Sequence, residues 1–145
     1  MSPNNDFKNF GEYLDRTLKV TRQQYLKRFK EKNIDLTTEQ WVLLDNLYHK
    51  GEISQNELAE GTFKNAPTVS RIIDLMCQKG ITKRERVDTD RRRHQIHLTK
   101  EGKALYERTL PEVNALREQG WSNLTEQDYK DLIRILDKIF HNFSN

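Results

Sequence analysis

A short basic segment between Lys83 and Arg93 is the part of the sequence best suited to bind phosphate. It carries six basic residues against three acidic ones, a net charge of +3, and the whole chain of 145 residues also has a net charge of +3. The basic residues are Lys83, Arg84, Arg86, Arg91, Arg92 and Arg93. Because the rest of the chain sums to zero, the positive charge is local. Such a concentration attracts phosphate and releases counterions from nucleic acid, although a solvated surface loop could have the same composition.

Other reactive side chains are scattered, which argues against a catalytic or metal centre. His94 and His97 are three residues apart, so on a strand they would point to opposite faces and would be poorly placed to share an ion. Cys77 follows Met76 on a predicted apolar helix face, which favours a structural role over the alternative of redox sensing. No nucleophile-base arrangement or phosphate-binding loop stands out, so we expect no enzyme, no cofactor and no metal.

The composition narrows the class of protein further. Apolar residues make up 34% of the chain, which is less than in an average globular domain. Charged residues make up 32%, which is more than average. No stretch approaches the ~18 apolar residues of a membrane span. A single cysteine excludes a disulfide scaffold, and the N-terminal sequence does not resemble a signal peptide. We therefore expect a cytoplasmic protein.

Two short helices joined by a turn are predicted just before the basic segment. Ser54 and Glu57 have the spacing of a capping box, in which two side chains satisfy free backbone N–H groups at a helix start. Asn65 is a good N-cap for the next helix, and Pro67 fits its first turn, where a missing N–H does no harm. Together they predict a helix-turn-helix over about residues 54–80.

The second of these helices should have one apolar face and one small, polar face. The apolar residues recur at helical spacing and should face the core: Val69, Ile72, Ile73 and Met76. The candidates for contact with base edges and phosphates are Asn65, Ala66, Pro67, Thr68, Ser70 and Arg71. Ser54 and Gln55 are the candidates on the helix before the turn. Phe63, within the turn, is expected to pack into the core.

The basic segment itself is predicted to be a two-stranded β-hairpin, with strands at roughly 82–87 and 94–98. Ile96 and Leu98 alternate with polar residues, the period of a half-buried strand. Arg91, Arg92 and Arg93 should lie at or beside the tip, next to Asp90. Because an isolated hairpin is marginally stable in water, this one must pack against the helices.

Longer helices are predicted on both sides of this region, over 7–29, 38–49, 100–120 and from Thr125 onward. The helix over 38–49, opened by a capping box at Thr37, is apolar on much of its surface and should be central to the core. Pro111 should kink the helix over 100–120. The first and last helices have apolar stripes although the total apolar content is low, so we expect them to pack against another chain.

In this order the elements resemble the MarR family of bacterial transcription regulators, over essentially the whole chain. Three motifs in register carry the resemblance: Leu58-Ala59-Glu60 followed by Pro67-Thr68-Val69-Ser70-Arg71; Lys79-Gly80-Ile81; and Asp90-Arg91-Arg92 followed by Ile96-His97-Leu98-Thr99 and Gly102. The resemblance implies a mainly α, winged helix-turn-helix homodimer. Residues 1–34 and 100–145 would form the helical dimerisation region. Residues 35–99 would form the DNA-binding domain, with the β-hairpin over about 81–98 as its wing.

The resemblance also implies how such a dimer would function. Each subunit would place the second helix of its helix-turn-helix in a major groove. Arg91 or Arg92 would enter the flanking minor groove, with Asp90 holding the arginine in place. The expected function is a repressor that binds a pseudo-palindromic operator in double-stranded DNA, modulated by a small aromatic or anionic effector. Aromatic residues that could line an effector pocket, or simply belong to the core, are Tyr13, Tyr25, Phe29 and Trp41. The alternative function is a winged-helix module that binds protein.

Overall fold

The computed structural model describes residues 9–87 and 90–144, apart from the side chains of Val87 and residues 90–93. Six helices and three strands lie within that described part. The helices are α1 Phe10–Glu31, α2 Thr38–Lys50, α3 Gln55–Gly61, α4 Ala66–Gln78, α5 Lys100–Gly120 and α6 Glu126–Phe143. The strands are β1 Ile53–Ser54, β2 Thr82–Val87 and β3 Asp90–Leu98. The predicted element order and the mainly helical fold are confirmed.

Reciprocal capping boxes define where three of the helices begin. The Thr37 hydroxyl accepts the Gln40 N–H at 3.0 Å, and the Gln40 side chain accepts the Thr37 N–H in return. Equivalent reciprocal boxes precede α3, with Ser54 and Glu57, and α6, with Thr125 and Asp128. These helix starts agree with the predicted ones, because a capping box is a local signal that needs no distant partner.

The core is built around α2 and the buried face of α4. The buried residues of α2 are Gln40, Trp41, Leu43, Leu44 and Leu47, and those of α4 are Val69, Ile72, Ile73 and Met76. Helix α4 packs against α2, α3 and β2. The predicted central position of α2 and the predicted core face of α4 are therefore confirmed. Helix α5 continues through Pro111.

The wing belongs to a three-stranded antiparallel sheet of order β1-β3-β2, which corrects the prediction of two strands. Strands β2 and β3 form the predicted hairpin, but β1 adds to the other edge of β3, with Ile53 opposite Ile96. Two residues are too few to show an alternating pattern, so β1 has no sequence signal of its own. Strand β3 also begins at Asp90 rather than near residue 94.

The same backbone turn ends α1, α3 and α4. In each, the second residue after the last helical one has a positive φ, and two N–H groups bond back to helix carbonyls, the Schellman motif. The positive-φ residues are Asn33 (φ 56°), Phe63 (φ 57°) and Gly80 (φ 78°). Glycine favours this conformation and asparagine tolerates it. For a residue with a bulky side chain, the conformation costs roughly 1–2 kcal/mol.

Phe63 is 97% exposed, so the prediction that it packs into the core is wrong. In the motifs after α1 and α4 the residue following the positive-φ position is apolar and buried, namely Ile34 and Ile81, each 5% exposed. After α3 that position is Lys64, and the aromatic residue comes one position earlier. The one-residue shift turns the ring away from the core.

Backbone contacts divide the chain into two compact units, one through Val113 and one from Asn114 onward. Helix α6, in the second unit, has no buried residue. Its exposed apolar side chains are Tyr129, Leu132, Ile133, Ile135, Phe140 and Phe143. In the first unit, α1 likewise exposes Phe10, Tyr13, Leu14, Leu18, Val20 and Leu26. None of the described helices combines the length and apolarity needed to cross a bilayer.

Gly102 provides a test of how closely α5 approaches the end of α4. A Cβ atom at this position would lie 2.0 Å from the carbonyl oxygen of Ile81, which is backbone and cannot move aside. We expect Gly102→Ala to lower the free energy of unfolding by at least about 1–3 kcal/mol, measured by urea denaturation. Gly11→Ala is the control, because nothing lies within 4 Å of its added Cβ. Equal stability of the two variants would contradict the close approach.

Candidate nucleic-acid interface

The first half of α4 presents a small, polar surface on the side away from the core. The Asn65 side chain accepts the Thr68 N–H at 2.9 Å and so caps the helix. Asn65, Pro67 and Arg71 are exposed, whereas Ala66, Thr68 and Ser70 are half-buried. The structure brings all six predicted candidates of this helix together on one end. Apart from Arg71, the side chains of this surface are small enough to lie close to base edges.

The two candidates on the helix before the turn have structural roles of their own. The Ser54 hydroxyl accepts the Glu57 N–H at 3.1 Å, as the N-cap of α3. The Gln55 side-chain oxygen accepts a hydrogen bond from Arg84 at 3.3 Å. Both residues are half-buried.

Arg84 joins the wing to both helices of the helix-turn-helix. Its guanidinium donates to the Ser70 carbonyl at 2.9 Å, to the Ser70 hydroxyl at 3.3 Å and to Gln55, and it forms an ion pair with Asp74. The side chain is 25% exposed. Arg84 thereby bonds β2 to both α3 and α4.

Sequence reasoning counted Arg84 only as one charge of the basic segment. The alternation of inward and outward side chains along β2 is a signal for its structural role. Arg84 shares the face of β2 with Thr82, which is buried, whereas Lys83 and Glu85 point outward. An arginine on the inner face of a strand needs a polar partner, and Asp74 and Ser70 on α4 supply it.

The predicted wing contacts Asp90, Arg91, Arg92 and Arg93 have their backbone in β3, and their side chains lie outside the described residues. Asp90 pairs with Val87 across residues 88–89, and the register shifts between Arg86 and Val87. Of the remaining basic residues, Lys83 and Arg86 are exposed on β2. Exposed positive side chains thus lie on both sides of Arg84 along β2, whereas Arg84 itself is bonded inward.

On the outer face of the sheet, Glu52, Glu85 and His97 bring one ligand atom each within 4.8 Å of one another. Carboxylate and imidazole groups at this separation could hold a divalent cation. The Lys83 ammonium lies 3.7 Å from a Glu85 oxygen and already compensates part of the negative charge. His97 and His94 pair with Lys83 and Arg86, three positions apart on β2, so the two histidines lie on opposite faces of the sheet, as expected.

The aromatic candidates for an effector pocket lie mainly in the core. Trp41 is 3% exposed and stacks on Tyr106 at 5.1 Å between ring centroids, and Phe29 is 1% exposed. Tyr25 packs edge-on against Phe29, whereas Tyr13 is exposed. These placements favour the core interpretation for three of the four residues. Separately, an open cavity of about 550 Å³ in the second unit is lined by Arg117, Trp121, Leu124, Thr125, Glu126 and Tyr129.

Cys77 is half-buried and packs against the core. Its sulfur lies 3.2 Å from the Thr82 hydroxyl oxygen, so the side chain bridges the end of α4 and the start of β2. This placement supports the structural interpretation of Cys77.

Comparison with known proteins connects this geometry to a family. Residues 34–93 match the model of the MarR family. Over nearly their full lengths, solved structures of regulators are also similar to this chain. The S. aureus MepR–DNA complex is 25% identical, covering 91% of this chain and 97% of that one, with a TM-score of 0.78.

Two further structures share the fold at lower identity. Bordetella bronchiseptica BpsR, whose DNA binding is regulated by 6-hydroxynicotinic acid, is 21% identical, with a TM-score of 0.81 and coverage of 95% and 97%. A mutant MarR from E. coli complexed with operator DNA is 20% identical, with a TM-score of 0.79 and coverage of 93% and 96%.

The Arg84–Asp74 pair predicts a measurable coupling between wing and helix. Arg84→Met should lower the free energy of unfolding by about 1–2 kcal/mol, because Asp74 and Ser70 lose a charged donor. In a double-mutant cycle with Asp74→Asn, we expect a coupling of roughly 0.5–1 kcal/mol, since the Asp74 side chain is 55% exposed. Lys83→Met, on the outer face of the same strand, is the control. A coupling indistinguishable from zero would contradict the assigned role of the ion pair.

Proposed function

We propose that this chain is a member of the MarR family, whose model residues 34–93 match, and that it is a homodimeric transcription regulator that binds double-stranded operator DNA. Its winged helix-turn-helix would recognise one half-site per subunit of a pseudo-palindrome. Half-sites about one helical turn apart would match a two-fold symmetric dimer. We further propose that it acts in the cytoplasm as a repressor.

One observation carries the proposal: α4 turns a small, polar N-terminal surface outward while its apolar face is buried. A recognition helix contacts base edges through its N-terminal residues. Arg71 is exposed one turn into α4, within the reach of a phosphate or a guanine. The surface is held rigidly, by the Asn65 cap at its start and by Arg84 at Ser70. Rigid presentation lowers the entropic cost of binding.

The basic hairpin supplies the second proposed contact. In this proposal Arg91 or Arg92 enters the flanking minor groove, where the negative potential is concentrated, and Asp90 restricts the rotamers of the arginine before DNA binds. The connection between β2 and β3 across residues 88–89 supports this placement, because Asp90 follows it directly. The MepR–DNA complex, 25% identical to this chain, supports DNA as the ligand.

The exposed apolar faces of α1 and α6 support a homodimer. We propose that residues 1–34 and 100–145 form the dimerisation region, around the DNA-binding domain of residues 35–99. A helix such as α6, with no buried residue and a row of apolar side chains, gains stability by packing against another chain. Regulation by a small aromatic or anionic effector is proposed from BpsR and 6-hydroxynicotinic acid. The family consists of regulators, and we propose no catalytic activity for this chain.

The proposed DNA contact of the wing can be tested with duplexes selected from a random pool. We expect enrichment of a pseudo-palindrome, with affinity falling steeply as salt rises. Arg92→Ala should weaken binding to the enriched duplex by about 1–3 kcal/mol. Lys19→Ala, on α1, is the control and should bind as the unaltered protein does.

Failure to enrich any sequence would contradict the regulator and favour the protein-interaction module. Enrichment with unchanged affinity after replacement of both Arg91 and Arg92 would contradict only the wing contact.

The proposed dimer predicts a mass of about twice 17.3 kDa at micromolar concentration, measured by analytical ultracentrifugation. Ile133→Glu, which adds a charge to the apolar face of α6, should shift the distribution toward the monomer because an unpaired charge would be buried. Lys138→Glu adds negative charge at an exposed position of the same helix and serves as the control. A monomeric unaltered protein, or an equal effect of both variants, would contradict this interface.

A further inference from the structure

Phe63 occupies a position for which neither backbone conformation nor burial favours phenylalanine. It has a φ of 57°, a conformation that suits glycine, and its side chain is 97% exposed. Asn33 and Gly80 hold the equivalent positions after α1 and α4 with residue types that this turn accommodates. Backbone strain at a position with no compensating internal contact points to a role outside the folded chain.

The turn holds Phe63 firmly. The Phe63 N–H bonds to the Glu60 carbonyl at 3.3 Å, and the Lys64 N–H bonds to the Ala59 carbonyl at 3.0 Å. The buried Thr62 hydroxyl donates to the Leu58 carbonyl at 2.7 Å. An exposed ring on a backbone fixed in this way can bind a partner with little loss of backbone entropy.

The turn also places Phe63 beside the proposed DNA surface. Only Lys64 separates it from Asn65, the N-cap of α4. With about 3.8 Å between consecutive Cα atoms, the Phe63 Cα lies within roughly 8 Å of the Asn65 Cα. A helix that enters the major groove by its N-terminus would therefore bring Phe63 to the edge of that groove.

We propose that the Phe63 ring makes an apolar contact with thymine methyl groups at the edge of the major groove, and so contributes to sequence specificity. This proposal rests on the function proposed above. The thymine methyl is the one apolar group that base pairs present in the major groove, and a phenylalanine ring is suited to contact it. Neighbouring Lys64 carries the positive charge that favours an approach to phosphate on the same side.

The test compares Phe63→Gly with Asn33→Gly. Both variants place glycine at a positive-φ position of the same turn, so both should raise thermal stability or leave it unchanged. Only Phe63→Gly removes the ring. Each protein is titrated with the duplex enriched from a random pool, and with duplexes in which single thymines are replaced by uracil, which lacks the methyl group.

For the unaltered protein and for Asn33→Gly, we expect uracil at the contacted position to weaken binding about fourfold, the worth of one buried methyl group. Phe63→Gly should bind the thymine duplex more weakly and should bind the two duplexes equally. The thymine methyl group would then strengthen binding only when the Phe63 ring is present, as expected if the two are in contact.

Two results would overturn the thymine contact while leaving the DNA-binding function intact. One is that Phe63→Gly discriminates thymine from uracil as well as the unaltered protein does. The other is that it binds more weakly but no uracil position matters, which would place the ring on the sugar-phosphate backbone. Ultracentrifugation gives a further outcome. If Phe63→Gly had a lower mass than the unaltered protein, the ring would contact a second copy of the chain, and the thymine contact would be overturned. Failure to enrich any duplex would overturn both proposals.

Discussion

The buried face of α4 is the constraint that the candidate interface depends on. Val69, Ile72, Ile73 and Met76 are each at most 4% exposed, and α4 packs against α2, α3 and β2. Burying these side chains fixes the rotation of the helix about its axis. The opposite side, with its small and polar residues, must then face solvent. The exposed surface is therefore a consequence of core packing, and a change that rotated α4 would remove the interface without altering any residue in it.

Local signals explain how much of this fold could be predicted from the sequence. The capping residues Thr37, Ser54, Asn65 and Thr125 marked helix starts that the structure confirms, because each acts within three residues of itself. The helical spacing of apolar residues identified the core face of α4 for the same reason. The candidates on α4 were brought together because a single helix end carries them all.

Features that depend on distant partners could not be predicted in this way. Strand β1 exists because Ile53 pairs with Ile96, 43 residues later in the chain, and two residues show no period. Arg84 reads as a surface charge until Asp74 and Ser70 are placed beside it. Phe63 is predicted to pack into the core, yet after α3 its ring is exposed to solvent. For β1 and Arg84 the missing information is a distant partner, whereas for Phe63 it is the backbone conformation of the local turn.

Charge and exposed apolar surface are segregated along this chain. The net positive charge lies between Lys83 and Arg93, whereas the exposed apolar rows lie on α1 and α6. Association of two copies through α1 and α6 would bury apolar surface without using any residue of the segment 54–98. Because the rest of the chain has a net charge of zero, dimerisation would double the number of basic hairpins without adding net negative charge. Two linked sites bind a two-fold symmetric duplex far more tightly than one, since the second contact becomes intramolecular. In the proposed dimer, the exposed apolar faces would thus be used for association between the two copies, and the basic hairpins would be left to bind DNA.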